Sequence, residues 1–99
     1  MYSACMARTQ DDRGWTFLSN HGHVLIYVHR HPDARVREIA TAVGVTERTA
    51  QSILADLSEA GYIVVTRVGR RNTYAVARKL RLRHPEEMGT AVGDLLAAF

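Results

Sequence analysis

The segment around Gly44 constrains the fold of this chain more than any other feature. Ala40 offers the small side chain that two helices need where they cross near a right angle, and Gly44 offers the positive φ angle of a tight turn. Val45 fills the angle between the helices, while Ala50 and Ile53 pack the second helix back on the first. This spacing predicts a helix-turn-helix.

Three helices follow from the apolar periodicity and the capping signals. The first is expected over residues 20–31, because the residue before Pro32 is disfavoured in the α region. The second covers residues 36–43 on a 3.6-residue stripe, and the third runs from a Thr46 cap to about residue 60. Residues 24–28 make the first helix apolar in every direction, so it needs cover from a second subunit or from the C-terminal segment.

Beyond the third helix the pattern changes to that of strands. Residues 62–68 are β-branched and aromatic, residues 69–72 form a turn, and residues 73–76 are the returning strand. After a basic connector, Pro85 is expected to begin a final helix that reaches Phe99, with acids in its first turn. Its apolar stripe predicts a contact between two subunits, formed by Met88, Val92, Leu95, Leu96 and Phe99.

The predicted fold class is mainly α with a small antiparallel β-hairpin and a C-terminal dimerisation helix. A length of 99 residues suits one small domain. Residues 1–14 read as a loose N-terminal arm, residues 15–84 as the helix-turn-helix with its hairpin, and residues 85–99 as the final helix. Bulky side chains at the start of the domain are expected to pack the arm onto it, namely Trp15, Phe17 and Leu18.

The basic residues are concentrated in one part of the chain. The formal net charge is +3, yet residues 60–85 contain no acid and seven bases, which are Arg67, Arg70, Arg71, Arg78, Lys79, Arg81 and Arg83. A local basic field on a nearly neutral body favours a polyanionic partner. A solvated arginine-rich face is the alternative.

Several classes of protein are disfavoured by the composition. The single cysteine, Cys5, excludes an internal disulfide and multi-cysteine zinc modules, and it favours a reducing, cytoplasmic location. The longest apolar run, residues 24–28, is too short to cross a bilayer. No phosphate loop, nucleophile elbow or catalytic triad is visible, so neither an enzyme nor a cofactor is predicted. The five histidines are read as exposed side chains rather than metal ligands, although a site shared across subunits is conceivable.

The order of these elements resembles a known family. The helix-turn-helix is followed by Glu-Ala-Gly-Tyr-Ile and then by Arg-Val-Gly-Arg-Arg-Asn-Thr-Tyr, and this resembles winged helix-turn-helix repressors of the MarR and ArsR type over residues 19–76. The resemblance implies that the third helix enters the DNA major groove and that the hairpin, called the wing below, contacts the backbone or the minor groove. The implied positions are Thr46, Glu47, Arg48, Thr49, Gln51 and Ser52 on the helix, and Arg67, Arg70, Arg71 and Asn72 on the wing.

The chemistry of the helix residues is consistent with that role. Arg48 is the best candidate for a bidentate contact to guanine, Gln51 can pair with adenine, and Ser52 or Thr49 can reach a base or a phosphate. Thr46 is read first as a helix cap. Glu47, beside it, is read first as a complement to the helix dipole.

The sequence therefore predicts a sequence-specific regulator of transcription that binds double-stranded DNA. We expect a repressor that acts as a homodimer in the cytoplasm, associated with the nucleoid, and without a membrane partner. A small-molecule effector is compatible with the resemblance, but no residue marks its site. The alternatives are a winged helix used for protein–protein contact and one that binds RNA.

Overall fold

A computed structural model describes residues 15–99, and the predicted arm, 1–14, lies outside the described residues. The chain order is α1 (Asn20–Arg30), α2 (Val36–Val43), α3 (Glu47–Glu59), β1 (Ile63–Val68), β2 (Arg71–Val76) and α4 (Val92–Leu96). Three helices followed by a two-stranded antiparallel hairpin confirm the predicted class, which is mainly α with a small antiparallel β-hairpin. None of the helices in this described part is long and apolar enough to span a membrane.

The first helix begins and ends where its capping residues predict. The Ser19 side chain accepts a hydrogen bond from the amide of Gly22, and the helix ends at Arg30, two residues before Pro32. Val24 and Val28 are fully buried on its inner side. Ile26 and Tyr27 pack partly buried against the same core, so much of the all-round apolar surface is covered within the chain.

The turn between α2 and α3 has the predicted geometry. Gly44 has a φ of 87° in the left-handed region, and its amide donates to the carbonyl of Ala40 at 2.8 Å. Apart from Gly44 and its two chain neighbours, no residue has an atom within 4 Å of the position that a Cβ would take at Gly44, so glycine is required there by the backbone and not by crowding. Ala50 and Ile53 of α3 are buried in the same core cluster as Ile39 of α2, so the two helices pack together there.

The hairpin has a tighter turn than the sequence suggested. Val68 pairs with Arg71, so the turn contains two residues, Gly69 and Arg70, instead of the predicted four. Gly69 has a φ of 64°, and a positive φ at the first position of a two-residue turn matches the twist of the flanking strands. Arg71 and Asn72 therefore belong to β2 and not to the turn.

Strand β1 is largely exposed. Ile63 is buried at its start, whereas Val64, Val65 and Val68 are exposed. Within residues 15–99, β1 pairs with β2 alone, which leaves its other edge open.

The helix predicted from Pro85 to Phe99 is wrong over much of its length, because α4 contains only Val92–Leu96. Residues 85–91 form turns and a short bridge in which Arg81 lies opposite Ala91. The carbonyl of Thr90 accepts the amide of Leu82, and the Arg81 guanidinium donates to the carbonyls of Met88 and Gly89. These contacts from the preceding connector, seven and eight residues away, take acceptors that a helix would use.

Short helix α4 contributes to the chain's own core. Val92 is 0% exposed and Leu96 is 1% exposed, in the cluster that contains Val24 and Val28. Neither side chain presents a surface to a second subunit. The prediction that Val92 and Leu96 form part of a dimer contact is therefore replaced by a role in the core of their own chain. The C-terminal segment instead packs into the same core as α1.

The start of the described segment also differs from expectation. Phe17 is 94% exposed and Trp15 is exposed as well, so neither ring packs into the domain. The two rings contact each other edge to face, with centroids 5.3 Å apart. The predicted anchoring role is therefore not observed for these two residues, whereas Leu18 is partly buried.

Candidate nucleic-acid interface

Helix α3 separates an apolar face from a polar one. Its buried residues are Ala50, Ile53, Leu54 and Leu57. All six helix residues predicted to face DNA are exposed, namely Thr46, Glu47, Arg48, Thr49, Gln51 and Ser52. The packing of α3 on α1 and α2 therefore leaves the N-terminal half of its polar face open to a partner.

Two threonines at the start of α3 are engaged locally. The Thr46 hydroxyl accepts a hydrogen bond from the Thr49 amide at 3.1 Å and donates to the Thr49 hydroxyl at 3.0 Å. Thr46 is thus the helix cap, as its position predicted. Within the described residues, Arg48, Gln51 and Ser52 form no side-chain hydrogen bond or ion pair, so their polar groups are directed to solvent.

The wing holds its arginines in three different situations. Arg67 donates through Nε to the carbonyl of Gly69 at 3.2 Å, which bends it over the turn. Arg71 donates to the carbonyl of Asp33 at 2.7 Å, in the loop between α1 and α2. Arg70, at the turn, is exposed and contacts none of the hydrogen-bond acceptors in residues 15–99. Asn72 is exposed on β2.

The contact between Arg71 and Asp33 was not anticipated from the sequence. Its acceptor is a backbone carbonyl, which every residue has, so no residue type could have indicated it. The sequence indicates two roles for the basic residues of this region, which are contact with a polyanionic partner and solvation. The structure adds a third role within the chain.

A second unanticipated pair joins α1 to α3. His21 Nε2 lies 2.8 Å from Asp56 Oδ2, and both side chains are about half exposed. It is an ion pair only when His21 is protonated, and its exposure makes it a weak contribution to stability. No group of three or more potential metal ligands is present in the described part of the chain.

The exposed face of α3 and the adjacent hairpin together suit a double-stranded polyanion. A helix with exposed Arg48, Gln51 and Ser52 can enter a groove and hydrogen-bond to base edges. Guanidinium groups on a projecting hairpin can reach phosphates on the flanking backbone. Three helices with a tight α2–α3 turn and a basic hairpin after α3 define a winged helix-turn-helix protein.

Comparison with known proteins places the chain within this class. The MarR family model matches residues 16–71, which is more than half of the sequence, and the chain belongs to the MarR family. This is a family of winged-helix transcription regulators. No curated protein matches the sequence.

Two solved structures share the fold. MepR, a transcription regulator of the Staphylococcus aureus multidrug efflux pump MepA, is 18% identical with a TM-score of 0.53; the alignment covers 89% of this chain and 59% of MepR. IscR from T. potens is 14% identical with a TM-score of 0.59, and 88% of this chain and 90% of IscR are covered. The chain thus spans about three fifths of the length of MepR.

Proposed function

We propose that the protein is a sequence-specific repressor that binds double-stranded DNA as a homodimer in the cytoplasm, on the nucleoid. The observation that carries this proposal is the exposed polar half of α3 beside an exposed basic wing. Binding to an operator that overlaps a promoter would exclude RNA polymerase from that promoter. This mode of repression requires that the protein bind DNA at the right position, and it requires no catalytic chemistry.

Helix α3 would lie in the major groove with its N-terminal half toward the bases. Arg48 would donate two hydrogen bonds to guanine, and Gln51 would pair with adenine. Ser52 and Thr49 would contact a base or a phosphate, whereas Thr46 caps the helix and Glu47 complements its dipole. The support for this assignment is that Arg48, Gln51 and Ser52 are exposed and form no side-chain hydrogen bond or ion pair within residues 15–99.

The wing would bind the DNA backbone or the adjacent minor groove. Arg70 is the best placed for a phosphate, because it lies in the two-residue turn and its side chain is exposed. Arg67 and Asn72 lie opposite each other on the two strands and would contact the same stretch of backbone. Such contacts add affinity for every sequence and make binding salt-dependent.

A dimer would use the apolar side chains that remain exposed near the ends of the described chain. Phe17, Met88 and Phe99 are each more than half exposed, and Leu95 is partly exposed. Leu95 and Phe17 also line a groove of about 700 Å³ between α1, α3 and the C-terminal segment. A two-fold axis there would present two α3 helices to successive major grooves, about 34–36 Å apart or a multiple of that.

Selection of bound duplexes from a random DNA pool tests the function. We expect enrichment of a palindromic motif, and loss of that motif with Arg48→Ala while weak binding to random DNA remains. Competition with duplex RNA at the same salt concentration is the second arm. Preference for RNA, or absence of salt-dependent binding to any nucleic acid, would contradict the proposal and favour an RNA-binding or protein-binding winged helix.

Sedimentation tests the dimer separately. Met88→Ser combined with Phe99→Ser is expected to weaken the dimer. Val68→Ser is the control, because Val68 is also an apolar side chain more than half exposed but lies on the wing. A wild-type chain that sediments as a monomer at micromolar concentration would contradict the dimer. If Val68→Ser weakened the dimer as much, Met88 and Phe99 would not be specific interface residues.

A further inference from the structure

Two neighbouring carbonyls in the loop between α1 and α2 accept hydrogen bonds from the wing. The Tyr74 amide donates to the carbonyl of Pro32 at 2.8 Å, and the Arg71 guanidinium donates to the carbonyl of Asp33 at 2.7 Å. Together they attach β2 to the segment that leads into α2, the first helix of the helix-turn-helix. We call this pair of contacts the wing clasp.

The outer half of the wing depends on the clasp more than the inner half does. Ile63 and Tyr74 are buried near the base of the hairpin, whereas all side chains of residues 64–71 are exposed. A two-stranded hairpin is marginally stable by itself in water. Among the hydrogen bonds of the described residues, the one from Arg71 connects the outer half to the helical body, since those of Arg67 and Thr73 stay within the hairpin.

The adjacent arginines of the wing face different surroundings. Arg70 lies in the turn, is exposed and has no hydrogen-bond partner within residues 15–99. Arg71 is the first residue of β2, and its guanidinium donates to the carbonyl of Asp33. Because the Arg71 guanidinium is hydrogen-bonded to the helical body, it points away from the turn, which is where a phosphate would bind. The short, charge-assisted hydrogen bond also restrains a side chain that would otherwise be mobile.

We propose that Arg71 is a positioning residue that fixes the direction of the wing relative to α3, and that Arg70 alone of this pair contacts phosphate. This inference rests on the proposed function, and it assigns two separate roles to residues that look equivalent in the sequence. Without the clasp, the wing samples more orientations, and DNA binding must restrict them. The affinity then decreases although no contact to DNA has been removed.

The test compares Arg71→Met with Arg70→Met, which remove the same charge and every hydrogen-bond donor of the side chain. The first readout is amide exchange of Tyr74, whose acceptor is the other half of the clasp. We expect Arg71→Met to accelerate this exchange roughly two- to tenfold, as for loss of one hydrogen bond, and Arg70→Met to leave it unchanged. Arg71→Lys restores a donor and should restore protection.

The second readout is DNA affinity as a function of salt. Arg70→Met should reduce the slope of log affinity against log salt by about one, because one phosphate contact is lost. Arg71→Met should lower the affinity roughly two- to tenfold at all salt concentrations and leave the slope unchanged. Asp33→Asn serves as a control, because the acceptor is the main-chain oxygen, and it should behave as wild type.

A slope reduced by about one in Arg71→Met, with unchanged Tyr74 exchange, would show that Arg71 contacts phosphate and would overturn the proposal. Unchanged exchange and unchanged affinity would overturn it as well. If the wild-type chain bound no DNA, the proposed function would fail. The exchange measurement would still decide whether Arg71 holds the wing.

Discussion

Replacing Leu96 with alanine removes three carbon atoms from a side chain that is 1% exposed and lies in the cluster with Val24 and Val28. At about 0.8 kcal/mol per buried methylene, the lost transfer free energy is about 2.4 kcal/mol. The cavity left behind increases this, and α4 is short enough to relax partly into it. We therefore expect the free energy of unfolding to decrease by about 2.5–4 kcal/mol.

The measurement is urea and thermal unfolding of the full chain over a wide range of protein concentration. For a chain of this size, a loss of about 3 kcal/mol lowers Tm by roughly 12–24 °C. Because Leu96 packs within its own chain, the loss should persist at concentrations where the protein is monomeric. Phe99→Ala is the matched control: this side chain is 53% exposed, so the variant should stay within about 0.5 kcal/mol of wild type in the monomer.

Two outcomes would refute this reasoning. If monomeric Leu96→Ala unfolded like wild type, α4 would not be part of the core. If the variant changed dimerisation and left monomer stability unaffected, the sequence-based interpretation of Leu96 as an interface residue would be restored.

Three further substitutions test other parts of the structure. Arg48→Ala should weaken binding to the selected site by about 1–3 kcal/mol and should change binding to random DNA very little. Titration of both duplexes measures this, and an equal loss on both would mean that α3 does not read bases. Gly44→Val should destabilise the fold by at least about 1–2 kcal/mol, because φ is 87° there, and an unchanged Tm would contradict the turn geometry. Gly93→Ala should lower the unfolding free energy by about 1–3 kcal/mol, since a Cβ there would lie 3.0 Å from the carbonyl oxygen of Arg78. Gly89→Ala is the control and should be neutral, because a Cβ at Gly89 would meet open space.

The features that the sequence predicted well depend on neighbouring residues. Gly44 determines the turn through its own backbone, and Thr46 caps α3 through an amide three residues away. The apolar stripe of α3 is likewise visible at helical spacing, so the exposure of Arg48 and Gln51 followed from the position of the buried residues. Local chemistry was sufficient for the helix-turn-helix and for the candidate helix surface.

The features that were missed depend on contacts with residues outside the segment that shows the pattern. The final helix was overextended because Arg81 and Leu82 hydrogen-bond to carbonyls of residues 88–90, and nothing in residues 85–99 indicates that competition. The role of Arg71 was missed for a similar reason, since its partner is a main-chain oxygen 38 residues away. Apolar periodicity could not decide whether Val92 and Leu96 face their own chain or another.

The open edge of β1 gives Arg67 a second significance. Val64, Val65 and Val68 are exposed on a strand whose outer backbone groups have no strand partner in the described chain, and such edges invite self-association into aggregates. A charge in the middle of an apolar edge opposes that pairing, as gatekeeper residues do. Removal of Arg67 therefore changes colloidal stability together with any affinity for DNA. Substitution by glutamate, which keeps a charge on the edge, separates these two effects.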